Sequence, residues 1–271
     1  MKTQTEKAKA FKALHESAGA FIIPNPWDSG SARLLAGLGF EALATTSGGF
    51  ANSLGRLDGE ITVDEAIEHC RRLCAATDLP VSADLENCFV DEPEKAAATI
   101  LRAAQAGVVG GSIEDSTGNP SNPIYEFDLA VERVQAAAEA ARSLDFPFTL
   151  TARAENFLHG RDDLDDTIRR LQAFEAAGAD VLFAPGLKTL DEIRLVTDAL
   201  NKPVNVLAPY MKGVTIAQLA DTGAKRISIG GALAGVAYIS LLRAAREMQN
   251  QGSFDWTSDL VLRSDLKKLL S

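Results

Sequence analysis

The sequence predicts an α/β fold, a (β/α)8 barrel of the TIM type. Glycines that mark helix ends and prolines that mark strand starts support this prediction. A unit recurs in which an alanine-rich helix ends in glycine and an apolar strand follows, at Gly39, Gly107, Gly178 and Gly223. Glycine after a helix takes the left-handed conformation that ends it. The chain has 271 residues, close to the roughly 250 that one such barrel needs.

The remaining strands are marked by proline after a short loop, at Pro80, Pro147 and Pro203, and by the apolar run at residues 20–25. Proline cannot donate to a strand ladder, so it fits the first residue of a strand. Strands that alternate with helices indicate a parallel sheet, and short apolar strands indicate burial on both faces. An open doubly wound sheet is the alternative, but no glycine-rich nucleotide-binding sequence favours it.

The predicted organisation is a single barrel domain over residues 1–271. A short helix precedes the first strand, a further helix covers residues 231–250, and residues 252–271 form a short helical tail. No linker or low-complexity segment divides the chain.

Composition excludes several classes of partner. The formal net charge is −10, and no basic run is present to meet the phosphates of nucleic acids or of anionic membranes. The polar N-terminus does not resemble a secretion signal, and no apolar run approaches the length of a membrane span. The three cysteines, Cys70, Cys74 and Cys88, fit small buried residues in a reducing compartment better than a zinc site. We expect a cytoplasmic protein.

Acidic side chains follow two neighbouring predicted strands. The third strand ends in Asp84 and Glu86, which alternation would point to one face, and the fourth ends in Glu114. Carboxylates gathered at one rim repel unless a cation lies between them, and a hard divalent metal meets that need. The alternative is a set of acids neutralised by Arg or Lys. Asp58, taken alone, reads as a solvated turn residue.

Other polar residues follow the second, fifth and seventh strands. Ser47, Gly48 and Gly49 could offer a hydroxyl and backbone N–H groups to a carboxylate, although a tight turn without a ligand fits equally well. Arg153 ends the fifth strand and could bind a carboxylate, form an ion pair with a neighbouring acid, or do both. Asn205 reads as a polar contact to substrate. His159 reads as an exposed loop residue.

Together these residues resemble the isocitrate lyase/phosphoenolpyruvate mutase superfamily over nearly the whole chain. The resemblance rests on the segments IPNPWDSGSARLLAGLGFEALATTSGGFANSLGRLDG, ADLENCF, SIEDS, TARAENF with DDTIRRLQAFEAAGAD, and PVNVLAP. It implies a Mg²⁺ site, with Mn²⁺ as an alternative, and a 2-oxo acid held through its carboxylate and carbonyl oxygens. It also implies a homotetramer or dimer that exchanges the last barrel helix between subunits.

The resemblance assigns roles residue by residue. The metal shell would be Asp84, Glu86 and Glu114, with Asp58 in the same shell and some contacts through water; Ser47, Gly48, Gly49, Arg153 and Asn205 would bind substrate; Arg153, Glu114 and Asp58 would be the catalytic residues.

The chain departs from the family at two places. Lyases of this family carry a Lys-Lys-Cys-Gly-His loop after the fourth strand, whose cysteine protonates the leaving enolate, whereas residues 116–126 contain no Cys, Lys or His. Cys88 also occupies a position where the family has glycine, as a packing substitution or, less simply, a reactive thiol. A proton from Tyr210 would be one substitute for the missing cysteine.

The sequence therefore predicts a Mg²⁺-dependent lyase or decarboxylase that acts through an enolate on a small 2-oxo or 2-hydroxy dicarboxylic acid, oxaloacetate-like or methylisocitrate-like. Decarboxylation would need no large leaving enolate, so it tolerates the missing cysteine. The alternatives are a phosphonomutase or phosphonopyruvate hydrolase, and a non-catalytic barrel that binds 2-oxo acids.

Overall fold

The computed structural model describes residues 2–260 and 263–270. Its centre is one sheet of eight parallel strands in the order β1-β8-β7-β6-β5-β4-β3-β2. The strands are β1 (Phe21–Ile23), β2 (Leu43–Ala44), β3 (Val81–Ala83), β4 (Gly110–Glu114), β5 (Thr149–Arg153), β6 (Val181–Phe183), β7 (Val204–Leu207) and β8 (Arg226–Ser228). The predicted (β/α)8 barrel is confirmed.

Helices follow the strands and enclose the barrel. They are α1 (Gln4–Glu16), α2 (Ser29–Gly37), α3 (Ser47–Ser53), α4 (Val63–Ala76), α5 (Pro93–Gln105), α6 (Phe127–Arg142), α7 (Leu164–Ala176), α8 (Leu190–Asp198), α9 (Ile216–Ala220), α10 (Ala232–Gln251) and α11 (Arg263–Leu270). The four glycines that predicted helix ends all have positive φ: Gly39, Gly107, Gly178 and Gly223. Val261, Leu262 and Ser271, which belong to the predicted tail, lie outside the described residues.

The barrel closes between β1 and β2 through few bonds. The backbone N–H of Ala44 donates to the carbonyl of Pro24 at 3.1 Å. The buried side chain of Asn25 completes the closure: its Nδ2 donates to the Thr45 carbonyl at 2.9 Å, and its Oδ1 accepts from the backbone N–H groups of Ile229 and Gly230 at 3.0 and 2.9 Å. One amide side chain thus joins the ends of three strands.

Helix α1 closes the end of the barrel where the strands begin. It starts at a capping box between Thr3 and Glu6. Its Phe11 is fully buried in a small apolar cluster with residues at the starts of the strands, including Phe21 and Val109. Close packing there is possible because Gly110 has no side chain: a Cβ would lie 3.0 Å from the Phe11 ring and 2.8 Å from the Thr149 carbonyl oxygen.

Helix α10 packs little against the rest of the described chain. Of its twenty residues only Ala234 is buried, while Val236, Ile239 and Leu241 are each more than 60% exposed. Helix α11 instead packs on α2. In the described ranges, no helix combines the length and apolar character that a bilayer crossing requires.

Candidate active site

Two adjoining cavities open where the strands end. One, of about 380 Å³, descends into the barrel between β1, β2, β7 and β8. The other, of about 1000 Å³, lies beside it over β3 to β5. Ser47, Asp58, Arg153 and Leu158 line both. A third cavity of about 640 Å³ lies at the opposite end of β5 and β6, but chemistry in these barrels occurs at the carboxyl ends of the strands.

Arg153 is the centre of the charged part of the site. Its Nη1 lies 2.9 Å from Oδ1 of Asp84 and 3.2 Å from Oε2 of Glu114, and its Nη2 lies 2.8 Å from Oε1 of Glu155. Burial opposes the charged form, but Glu155, Glu114 and Asp84 hold the pKa of Arg153 above its usual value. Because a buried Asp115 accepts a hydrogen bond from the backbone N–H of Glu155 at 2.8 Å, Glu155 is itself fixed. The predicted pairing of Arg153 with neighbouring acids is therefore present.

The backbone after β3 differs from the prediction. The strand ends at Ala83, so strand alternation does not orient Asp84 and Glu86 as predicted. Glu86 has a φ of 49°, and Cys88 and Phe89 have φ of 60° and 63°. This left-handed turn, rare for residues with side chains, directs Glu86 to the larger cavity while Asp84 lines the smaller one.

The acids are nevertheless close enough to affect one another. Burial, with the charges of Asp84 and Asp58, raises the pKa of Glu86 to about 8. Burial also raises the pKa of Glu114 well above its usual value, although Arg153 opposes this shift. In addition, Oε1 of Glu86 is buried without a hydrogen-bond partner. One arginine thus faces five acidic side chains, counting Glu155.

This excess of acidic over basic side chains indicates what the site can bind. Carboxylate oxygens are the ligands that Mg²⁺ and similar hard cations prefer. Within residues 2–260 and 263–270, however, no three His, Cys, Asp or Glu side chains are gathered to ligate one metal ion directly. A cation here would need water or substrate oxygens to complete its shell, as is common for Mg²⁺.

The segment predicted to hold a carboxylate forms the start of α3. Two of its N–H groups are already used: Ser47 donates to Oδ2 of Asp84 at 3.1 Å, and Gly49 donates to the Thr46 hydroxyl at 3.3 Å. The Gly48 N–H and the Ser47 hydroxyl remain for a ligand. Gly48 also lies against Asp58, since a Cβ on Gly48 would be 3.1 Å from Oδ2 of Asp58.

Asn205 lines the smaller cavity but is already engaged. It is buried, its Oδ1 accepts from Nε of Arg226 at 2.8 Å, and its Nδ2 donates to the Ser228 hydroxyl at 2.9 Å. Sequence reasoning missed Arg226. The alternation of arginine and serine in the strand Arg226-Ile227-Ser228 was the available signal, because it places both polar side chains on the barrel's inner face.

His159 also has a role that the sequence did not indicate. Although exposed, its Nε2 lies 3.1 Å from the hydroxyl of the buried Ser116, and both residues line the larger cavity with Glu114. Ser116 begins a loop that folds back on itself through a bridge to Ile124. Tyr210 is half exposed at the mouth of the smaller cavity.

Cys88 is a packing residue. It is completely buried, and burial raises the pKa of its thiol to about 12. Its φ of 60° lies in the region that favours glycine, which explains why a glycine would suit this position. A buried, protonated thiol is a poor nucleophile.

Fold and site together define a TIM-barrel enzyme with an acidic, arginine-centred mouth. The family model described as phosphoenolpyruvate phosphomutase matches residues 11–249. The chain belongs to this family, and the predicted isocitrate lyase/phosphoenolpyruvate mutase superfamily is confirmed. It is an enzyme of the carbon–carbon lyase type found there.

Two relatives carry named activities. The 2-methylisocitrate lyase of Escherichia coli (strain K12) is 30% identical over 204 residues, which are 72% of this chain and 68% of that protein. The oxaloacetate decarboxylase of Pseudomonas entomophila (strain L48) is 29% identical over the same shares of the two chains.

Two solved structures, one of high and one of low sequence identity, are similar to this protein. A candidate lyase/mutase from Burkholderia cenocepacia J2315 is 56% identical, with a TM-score of 0.96 over 99% of this chain and 96% of that chain. A phosphonopyruvate hydrolase in complex with oxalate and Mg²⁺ has a TM-score of 0.86 over 99% and 95% of the chains. At 20% identity, the second shows the shared fold.

Proposed function

We propose that this protein is a Mg²⁺-dependent lyase or decarboxylase that acts through an enolate on a small 2-oxo or 2-hydroxy dicarboxylic acid. The observation that carries the proposal is the contact of Arg153 with Asp84 and Glu114 at the mouth of the barrel, beside the unpartnered Oε1 of Glu86. Two relatives, named 2-methylisocitrate lyase and oxaloacetate decarboxylase, act on acids of this kind.

The residues present fit a divalent cation. Asp58, Asp84, Glu86 and Glu114 supply hard oxygen ligands. Burial, together with the neighbouring acids, raises the pKa of Glu86 and of Glu114, and Arg153 only partly opposes these shifts. These four residues would hold Mg²⁺, with water or substrate oxygens completing its shell and with Mn²⁺ as the alternative. The metal would act as a Lewis acid on the substrate carbonyl.

Side chains and backbone groups of the protein would bind the substrate and stabilise the charge that develops on it. The Ser47 hydroxyl and the Gly48 N–H would bind the carboxylate next to the oxo group. Arg153, fixed by three carboxylates, would donate to the oxo oxygen. As the carbon–carbon bond breaks, its electron pair would form the C=C bond of the enolate and the carbonyl π pair would move onto the oxygen, where Arg153 would stabilise the negative charge that develops.

The enolate must then take a proton on carbon. Two groups at the mouth can reach the cavities from the solvent side: the Tyr210 hydroxyl, and His159 with its partner Ser116. Neither is a cysteine, so proton transfer would differ from that of lyases with the Lys-Lys-Cys-Gly-His loop.

We also propose that the protein is a homo-oligomer, a dimer or tetramer. The apolar residues that α10 exposes, Val236, Ile239, Leu241 and Leu242, form a surface that favours burial. Exchange of α10 between subunits, as the family resemblance implies, would cover it. Light scattering at micromolar concentration tests this, and a monomer would contradict it.

Turnover assays test the proposed activity. Purified protein with Mg²⁺ would be supplied separately with oxaloacetate, 2-methylisocitrate and phosphonopyruvate, and pyruvate, succinate and inorganic phosphate would be measured. Each assay would be repeated with excess chelator and after Mg²⁺ or Mn²⁺ is restored.

The outcomes are distinct. Pyruvate formation from oxaloacetate or 2-methylisocitrate, above the rate without protein, that chelator abolishes and metal restores would support the proposal. Phosphate release from phosphonopyruvate would instead assign the chain to phosphonate chemistry. Tight binding of oxalate with no product from any substrate would indicate a non-catalytic binding protein.

A further inference from the structure

Arg226 is a buried cation inside the barrel. It is the first residue of β8, it is 6% exposed, and only its Nε is hydrogen-bonded, to Asn205 at 2.8 Å. No acidic side chain in the described ranges forms an ion pair with it. Its Nη1 is buried without a hydrogen-bond partner among the described residues. Arg226 lines the smaller cavity.

Burial of an uncompensated charge has a large cost. Desolvation and the positive charge of Arg153 both lower the pKa of Arg226. A buried arginine usually has an acid or a row of carbonyl oxygens around it, as Arg133 has with the carbonyls of Asn87, Val90 and Asp91. Arg226 lacks both, so its environment favours an anion that the chain itself does not supply.

The surroundings of Arg226 form a polar floor for the cavity. The side chains of Ser82, Ser112, Asn205 and Ser228 line the same cavity as Arg226. Asn205 accepts from Arg226 and donates to Ser228, which fixes the plane of the guanidinium group. Donors and a fixed cation at the bottom of a narrow cavity are suited to a carboxylate.

We propose that Arg226, positioned by Asn205, binds a second carboxylate of the substrate at the floor of the cavity, while the first carboxylate binds at the mouth near Ser47 and Gly48. This inference rests on the proposed function, which it deepens by specifying a substrate with two separated carboxylates. Asn205 is then a positioning residue for Arg226.

The assignment has a consequence for the reaction. A guanidinium group stabilises a carboxylate, so it would slow loss of that group as CO2. The carboxylate on Arg226 is therefore one that the product keeps. The bond that breaks would then lie between two fragments that each keep a carboxylate. Cleavage would not release the carboxylate on Arg226 as CO2.

Two probes separate the floor from the mouth. Oxalate carries two adjacent carboxylates and reports on the mouth, whereas 3,3-difluorooxaloacetate also carries a distant one. Calorimetry with Mg²⁺ would give the Kd of each for wild type, Arg226→Met, Arg226→Lys and Arg194→Met. The last removes an exposed arginine on α8 and serves as the control for net charge.

We expect Arg226→Met to weaken difluorooxaloacetate about 10- to 100-fold, since one charge-assisted hydrogen bond is lost, and to leave oxalate unchanged. Arg226→Lys should fall between Arg226→Met and wild type, and Arg194→Met should match wild type. Arg226→Met should fold, because an apolar side chain of similar size often replaces a buried charge without loss of stability.

Three results would overturn the inference. Equal affinity of wild type and Arg226→Met for difluorooxaloacetate, with oxalate binding intact, refutes the floor site alone. No oxalate binding to wild type refutes the proposed function as well. If chloride raises the thermal midpoint of wild type but not of Arg226→Met, and inhibitor affinities are equal, then the floor holds an inorganic anion instead.

Discussion

Gly48 offers a way to disturb the mouth without disturbing the fold. An alanine Cβ at this position would lie 3.1 Å from Oδ2 and 3.2 Å from Cγ of Asp58, where ordinary contacts begin at 3.4 Å. The Asp58 carboxylate must therefore move by about 0.3 Å or swing away. Asp58 is exposed, so this movement should have little effect on folding.

The expected magnitudes follow from this geometry. Gly48→Ala should leave stability unchanged or raise it by about 0.5–1 kcal/mol, since alanine is preferred over glycine within a helix. If Asp58 and the Gly48 N–H act in catalysis, kcat/KM should fall about 10- to 100-fold, because small misplacements of catalytic groups have effects of this size. Turnover of the substrate on which wild type is active, and a thermal melt, would measure both.

Gly30→Ala is the matched control. Gly30 is also the second residue of its helix, α2, and a Cβ there would meet Oδ1 of Asp28 only at an ordinary 3.4 Å. We expect unchanged turnover. Wild-type kcat/KM in Gly48→Ala would refute the role given to Asp58 and the α3 terminus, and a stability loss above about 2 kcal/mol would refute the steric reasoning.

Further predictions concern charge, pH and packing. Glu114→Gln should abolish turnover and weaken Mg²⁺ binding measured by calorimetry, with the fold intact by circular dichroism, whereas the exposed Glu132→Gln should retain both turnover and Mg²⁺ binding; full activity of Glu114→Gln would make the metal assignment wrong. Burial lowers the pKa of His15 to about 3 and of His69 to about 4, so their contribution to stability is complete above pH 6.5 and is lost as pH falls below it, by about 1.4 kcal/mol per pH unit for each. Urea unfolding at pH 7 and pH 5 should show a smaller difference for His15→Gln than for wild type, and an equal difference would contradict this. Gly110→Ala should destabilise by about 1–3 kcal/mol, because its Cβ would meet backbone that cannot move aside; an unchanged melting temperature would count against it.

The fold could be predicted because its signals are local. A glycine such as Gly107 ends a helix through its own backbone preference, and a proline such as Pro80 marks a strand start through its missing N–H. These signals alternate along the chain, so eight strands could be counted without knowledge of any long-range contact. The helix predicted at residues 231–250 corresponds to α10, which spans Ala232–Gln251.

The site could be predicted only in part, because side-chain geometry depends on contacts distant in sequence. The acids were identified, but the orientation of Glu86 was argued from strand alternation, which ends at Ala83. Asn205 was assigned to substrate, since nothing in the sequence pairs it with Arg226 twenty-one residues later. His159 meets Ser116 across 43 residues, and such a pair has no periodicity to reveal it.

The closure of the barrel has a chemical consequence for the lifetime of the protein. Asn25 both donates and accepts at the junction of three strand ends, so conversion of its amide to an acid would put a negative oxygen against the Thr45 carbonyl. Asparagine commonly deamidates when the backbone nitrogen of the next residue attacks the side-chain amide. The next residue here is Pro26, whose nitrogen carries no hydrogen, and the sequence therefore protects this junction from slow deamidation.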